Sequence, residues 1–149
     1  MDCLFCQIAQ GQADTIGGMI YADDLVCACH YSHSGTPEYL GYVVALPRRH
    51  AKTYAELTDD EGRAMGLLTT RLARALDACC GAERAYVEFY GEVTPHLHTF
   101  LTARYPGLPE EYWHWNIGKW PDAPRGGSDE IAALSARLRS HVAVQNEKG

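Results

Sequence analysis

Two short patterns in this chain have residue types and spacings that suit chemistry. Cys3-x-x-Cys6 puts two thiols on one tight turn, where two thiolates can share a tetrahedral ion. A second CxxC is missing, because Cys27-x-Cys29 and Cys79-Cys80 lack the spacing. Such a site needs two further ligands, and histidines are the obvious supply. A redox role suits the motif less well: thioredoxin-type pairs sit between a strand and a helix of a parallel fold, whereas this pair heads the chain. The second pattern is Pro95-His96-Leu97-His98-Thr99-Phe100-Leu101. On a strand, residues two apart point the same way, so His96, His98 and Phe100 share one face. Two neighbouring imidazoles can be metal ligands, a nucleophile with its support, an acid–base pair, or partly exposed surface residues.

The elements that must position these residues follow from local patterns. Residues 1–19 form an N-terminal segment broken by Gly11, Gly17 and Gly18. Strands are expected at Ile20–Tyr21 and Leu25–Tyr31 around an Asp23-Asp24 turn, and at Tyr42–Leu46, ending at Pro47. Residues 32–41 read as a polar loop. Thr58 and Glu61 form a capping box, with Asp59 and Asp60 in the first helical turn. Met65, Leu68, Leu72, Ala75, Leu76 and Cys79 then recur at helical intervals until Gly81 caps the end. Ala85–Tyr90 and His96–Ala103 read as two more strands. Residues 105–127, rich in Pro, Gly and Trp, read as an irregular surface segment. Ser128 is expected to cap a last helix over 128–145, with Ile131, Leu134 and Leu138 on one face. This order of elements gives one α+β domain over 1–149: a mostly antiparallel sheet of about five strands with two main helices.

Composition narrows the function. The chain has 149 residues, enough to bury about two-thirds of its unfolded surface without disulfide staples. Apolar residues make up 46% and charged residues 21%, as in a globular protein. The formal charge of -6 disfavours binding to a nucleic-acid duplex, yet leaves room for an anionic small molecule held by a few local cations. No secretory signal is visible, and no run approaches the ~18 apolar residues of a membrane span. A cytoplasmic location is the expectation, and there cysteine pairs read as metal sites before disulfides. Cys27 and Cys29 share a strand face and read as small buried residues. Cys79 and Cys80, at the helix end, read as small apolar residues, one of them on the buried face.

With His50 closing Leu46-Pro47-Arg48-Arg49-His50, the sequence resembles the histidine triad (HIT) family. The likeness runs in register from Cys3-Leu4-Phe5-Cys6-Gln7-Ile8 through Ile20–Asp24, Gly41–His50 and Leu57–Glu61 to Pro95–His98 and Arg104. The family motif is His-φ-His-φ-His-φ-φ, with φ apolar. The resemblance implies a HIT-like fold and a homodimer. It also implies a structural zinc ion on Cys3, Cys6, His50 and His96, a closed set with no position for water. His98 falls at the nucleophile, which attacks the α-phosphate of a nucleotide conjugate such as a dinucleoside polyphosphate or a nucleoside phosphoramidate. A covalent nucleotidyl-histidine follows, and the enzyme is a nucleotidyl hydrolase or transferase.

Three positions depart from the family pattern. Phe100 replaces the third histidine and cannot donate to a phosphoryl oxygen, a loss worth roughly 3–4 kcal/mol of transition-state stabilisation. Tyr31 stands where an acidic ribose contact is usual. Gly91-Glu92-Val93 replaces a polar Gly-Gln-Ser, and the only asparagines are Asn116 and Asn146. Thr94, Thr99, Arg104 and Tyr31 are candidate nucleotide or phosphate contacts, and Arg48, Arg49 and Arg125 are further cations. Trp113, Trp115 and Trp120, with Tyr112 and His114, could stack on a base, cover a second subunit or fold back on their own domain. His30, His33 and His141 read as solvent-facing or loop residues. The alternative to an enzyme is a zinc-stabilised nucleotide-binding module with weak or no catalysis. A catalytic zinc is disfavoured, since four protein ligands leave no open position.

Overall fold

A computed structural model describes residues 3–32 and 37–147. In chain order the elements are α1 (Leu4–Ala9), β1 (Met19–Ala22), β2 (Val26–His30), β3 (Glu38–Tyr39), β4 (Tyr42–Pro47), α2 (Asp59–Cys80), β5 (Arg84–Glu88), β6 (Thr99–Arg104), β7 (Arg125–Gly126) and α3 (Ser128–Glu147). Five strands form an antiparallel sheet in the order β1-β2-β4-β6-β5, and β3 pairs with β7 in a separate ribbon.

The α2 boundaries follow from local chemistry. The Thr58 hydroxyl accepts the Glu61 amide at 3.2 Å, and the Glu61 carboxylate accepts the Thr58 amide at 2.9 Å. Gly81, at φ 64°, supplies the left-handed C-cap. The start of α3 differs by one residue from the sequence expectation. Gly127 holds the cap position, its carbonyl accepting from Ile131 and its amide donating to Glu130 at 2.9 Å. Ser128 is already helical.

Strand alternation divides the sheet into two faces. Val26, Ala28, Val43, Ala45, Leu101 and Ala103 face α2 and α3, where Met65, Leu72, Leu76 and Leu138 are wholly buried. Each such aliphatic side chain contributes about 1.5–3 kcal/mol. On the other face, Cys27, Cys29, Val44 and Leu46 are covered by Phe5, Ile8 and Ala9 from the N-terminal segment. A third cluster, Tyr39, Leu108, Ile117, Trp120 and Ala123, closes the far end.

Several expectations are corrected here. β6 begins at Thr99, so His96 and His98 precede the strand. β5 covers 84–88 instead of 85–90. The 105–127 segment contains two 3-10 helices, Glu110–Tyr112 and His114–Lys119, as well as β7. His30 is not solvent-facing: it is 1% exposed, and its Nε2 accepts the Gly41 amide at 3.1 Å. Its place at the last position of a central strand turns the side chain inward, and burial lowers its pKa to about 4. His33 lies outside the described residues. His141 is half-buried against Gln145.

Candidate zinc and histidine site

Cys3, Cys6, His50 and His96 come from three separate stretches of the chain and meet at one point. Cys3 precedes α1, Cys6 lies within it, His50 follows β4, and His96 lies three residues before β6. Their donor atoms all lie within 4.8 Å of one another. His96 Nδ1 is 3.4 Å from Cys3 Sγ and 3.3 Å from Cys6 Sγ, and His50 Nδ1 is 3.1 Å from Cys6 Sγ. A tetrahedral zinc ion with ordinary Zn–S and Zn–N bonds separates sulfur from nitrogen by about 3.6 Å. The observed spacings are slightly tighter and fit that geometry.

Proton placement supports the same assignment. His96 Nε2 donates to the Pro47 carbonyl at 3.0 Å, so its Nδ1 lone pair faces the two sulfurs. His96 is wholly buried, and burial keeps the ring neutral. Burial and the neighbouring Cys3 push the Cys6 thiol up. A cation among the four donors reverses that pressure and makes both thiols thiolates. The set is closed, as in a structural site, and fits a structural zinc ion.

A salt bridge holds the loop that carries His50. Arg49 donates to Glu61 through Nε at 2.8 Å and Nη2 at 2.7 Å, and to the Glu56 carbonyl at 2.8 Å. Glu61 is 5% exposed, and its bonds from Arg49 and the Thr58 amide lower its carboxyl pKa to about 2. Arg49 therefore anchors the β4–α2 connection and is not a free phosphate-binding cation.

His98 stands beside this centre with a different proton arrangement. Its Nδ1 donates to the His96 carbonyl at 2.6 Å, leaving the Nε2 lone pair outward. The ring stacks on Phe5, with centroids 4.4 Å apart and planes at 23°. Phe100 and Phe89 meet it edge-on at 5.1 and 5.8 Å. Such a ring is held in one orientation and half-exposed, with Nε2 facing outward.

The other sequence candidates separate by position. Tyr31 belongs to this cluster, 5.1 Å from Phe100 and 6.2 Å from Phe5. Thr94 lies in the bend before His96, whose amide donates to the Thr94 carbonyl at 2.8 Å. Thr99 does not join them: it opposes Ala45 on the helix-facing side, and its hydroxyl pairs with that of Tyr54 at 2.7 Å. Arg104 is six residues past His98, about 20 Å along an extended strand. It pairs with Glu83 at 3.7 Å and covers Trp113 at 4.4 Å. Arg48 donates to the Asp23 carbonyl, and Arg125 to the Gly118 carbonyl.

Sequence reasoning missed Phe5 and Phe89 as neighbours of His98, and Tyr42 as the neighbour of Phe100. The signal for Phe5 was its position inside the CxxC turn, which must carry it to the metal and so to His98. Phe89 follows the end of β5 and Tyr42 opens β4, and only the sheet register brings them here.

No family model matches the chain, and no curated protein matches it. Solved structures do. A hypothetical histidine triad nucleotide-binding protein from Sulfolobus tokodaii superimposes with a TM-score of 0.75 at 17% identity, covering 98% of this chain and 95% of its own. A Zn-bound histidine triad family protein from Mycobacterium smegmatis gives 0.72 at 18% identity, with 100% and 99% covered. A HIT family protein from Bacillus anthracis gives 0.61 at 18% identity, with 97% and 96% covered. Near-complete coverage in each comparison establishes that this chain has the fold of the histidine triad proteins.

Proposed function

We propose that this protein is a zinc-stabilised, nucleotide-binding enzyme of the histidine triad type, a nucleotidyl hydrolase or transferase that works through His98. The observation that carries this reading is the pair of opposed imidazoles. His96 spends its Nε2 proton on Pro47 and turns Nδ1 to two thiols. His98 spends its Nδ1 proton on the His96 carbonyl and keeps Nε2 available. The same backbone thus serves a metal ligand and a nucleophile. The zinc ion named for the Mycobacterium smegmatis protein, and the nucleotide binding named for the Sulfolobus tokodaii protein, support it by likeness of fold.

In the proposed reaction, the His98 Nε2 lone pair attacks the α-phosphorus of a nucleoside phosphoramidate or dinucleoside polyphosphate. The bond from phosphorus to the departing group breaks. A departing amine takes up one proton, and the nucleotidyl group stays on Nε2. Water or another acceptor then attacks phosphorus, the Nε2–P bond breaks, and one proton is released. His98 returns to its neutral tautomer, held by the His96 carbonyl throughout.

Phe100 removes the third imidazole. Replacement donors are at hand in the preceding loop, where the Glu92, Val93 and Thr94 amides make no hydrogen bond among the described residues. Consecutive free amides of this kind suit phosphoryl oxygens. Tyr31, kept protonated by burial, borders the same space.

A homodimer and a cytoplasmic location belong to this reading. Pairing along an outer strand such as β5 would cover an open sheet edge. Reduced thiols in that compartment keep the cysteines available to metal.

The test is cleavage of a panel of adenosine and guanosine phosphoramidates, with mass-spectrometric trapping of the adduct. His98→Ala should lower kcat by at least about 10³-fold while nucleotide binding persists. Binding without turnover in the wild-type protein would favour a non-catalytic nucleotide-binding module, the reading that Phe100 motivates. Turnover surviving in His98→Ala would refute the mechanism.

A further inference from the structure

The sheet face that carries His98 continues past Phe100 to a cleft of about 400 Å³, within the range of small-molecule sites. Tyr39, Tyr42, His114 and Trp115 give it aromatic walls, and Glu88 gives it a carboxylate. Glu38 and Arg125 complete the charged lining. The Arg125 guanidinium donates to the Gly118 carbonyl at 2.5 Å. The Glu88 carboxylate forms no hydrogen bond or ion pair among the described residues, although Glu88 itself pairs with Phe100 in the sheet.

Two further features show that the cleft is built and not incidental. His114 adopts φ 60°, the one left-handed non-glycine residue among the described residues, and such a conformation is rare and costly away from glycine. Its ring is held between Tyr86 at 5.5 Å and Trp115 at 5.9 Å. Trp115 is 75% exposed, so this strained turn holds a large aromatic side chain out at the cleft instead of burying it.

Aromatic faces beside an uncompensated carboxylate attract a weakly hydrated organic cation. A continuous aromatic path joins this cleft to His98. Tyr42 stacks on Phe100 at 4.8 Å and 19°, and Phe100 meets His98 at 5.1 Å. Phe100 therefore forms part of a floor leading from the nucleophile to the cleft.

We propose that this cleft binds an organic ammonium group, the cationic end of the part of the substrate that departs from phosphorus. The assignment to the substrate rests on the reading of His98 given above; the cation site itself does not. The two ring contacts put the Tyr42 ring no more than about 10 Å from the His98 ring, a span that an extended hexyl arm covers.

The probe is choline, compared with 3,3-dimethylbutan-1-ol, which has the same shape without the charge. The wild-type protein is titrated while the Trp115 indole N–H resonance is followed by NMR. Choline should shift it saturably, and the neutral alcohol should bind at least fivefold more weakly. Glu88→Gln, followed at the same resonance, and Trp115→Ala, followed by titration calorimetry, should each weaken choline at least threefold. Equal binding of the two probes, or choline binding that neither substitution changes, would overturn the site.

Two adenosine phosphoramidates differing only in a 6-(trimethylammonio)hexyl or 7,7-dimethyloctyl group on nitrogen then test the link to catalysis. The cationic one should show at least fivefold higher kcat/KM, and Glu88→Gln should bring the ratio towards one. Equal rates would overturn the substrate assignment. Cleavage of neither, with choline still shifting Trp115, would sink the reading of His98 and leave the cation site standing.

Discussion

The sheet face opposite α2 and α3 is covered at its two ends by segments held in different ways. At one end the N-terminal segment contributes only Phe5, Ile8 and Ala9 as deeply buried apolar anchors, beside Cys3. Its short helix α1 has no side-chain cap. Six helical residues are far too few to be stable alone. The four-donor cluster pins this segment across β4 and the bend before β6. At the other end, the 105–127 segment has its own cluster, Leu108, Ile117, Trp120 and Ala123 around Tyr39. The β3–β7 ribbon and the Tyr39 hydroxyl, which donates to the Ala103 carbonyl at 2.5 Å, tie it down further. One cover depends on metal chemistry and the other on ordinary burial. The comparison teaches why the proposed nucleophile sits beside the first: the His96 backbone, tied to the four-donor cluster, holds His98 by a hydrogen bond, which a patch of packed aromatics does not.

Metal removal should break the comparison most strongly. Chelation of the purified protein, or Cys3→Ala, should remove about one zinc per chain. Structural zinc in small Cys/His sites is worth on the order of 10–16 kcal/mol, only part of it net stability here. A fall in Tm of at least about 10 °C is expected by calorimetry. Hydrogen exchange should rise first at α1, with the Trp120 region protected until global unfolding. Equal loss of protection at both ends would show that the two covers are one cooperative unit.

A smaller effect is expected from the opposite end. Trp120 is 8% exposed, and Trp120→Ala should cost about 3 kcal/mol from lost packing. Elemental analysis should find the zinc content unchanged. Loss of zinc in this variant would mean that the aromatic cluster also supports the chelate.

Acid should separate the regions most gently, through His30 at the root of the β3–β7 end. Its folded pKa of about 4 lies below the ordinary value of 6.5, so the unfolded chain binds a proton first. The contribution is complete above pH 6.5 and is lost as pH falls towards 4, by at most about 1.4 kcal/mol per pH unit. Urea titrations of wild type and His30→Gln in the same buffers isolate this residue from proton uptake at the metal ligands. Parallel pH profiles would show that His30 is not protonated on unfolding in this range.

Local chemistry was legible wherever one element contained its own reason. The Thr58–Glu61 capping box, the Gly81 terminus and the stripe from Met65 to Leu76 are near-neighbour effects, and each stands where the sequence puts it. The expected fold class and the donor set of Cys3, Cys6, His50 and His96 also match the structure. Those four residues were grouped through a family likeness, since spacings of 44 and 90 residues carry no geometric information by themselves.

What the sequence determined alone is the inventory: two thiols on one turn, two imidazoles two residues apart, and a phenylalanine in place of a third. Tertiary structure decided their roles. Both rings precede β6, so the backbone between them is free to give the His96 carbonyl to His98 instead of to a neighbouring strand. Register put Thr99 on the helix side and ran Arg104 away to Trp113, removing two candidate phosphate contacts. It also carried His30 into the interior and brought Tyr42 onto Phe100. The reason is physical: side-chain type is a local property, whereas proton placement, burial and charge pairing depend on partners far away in sequence.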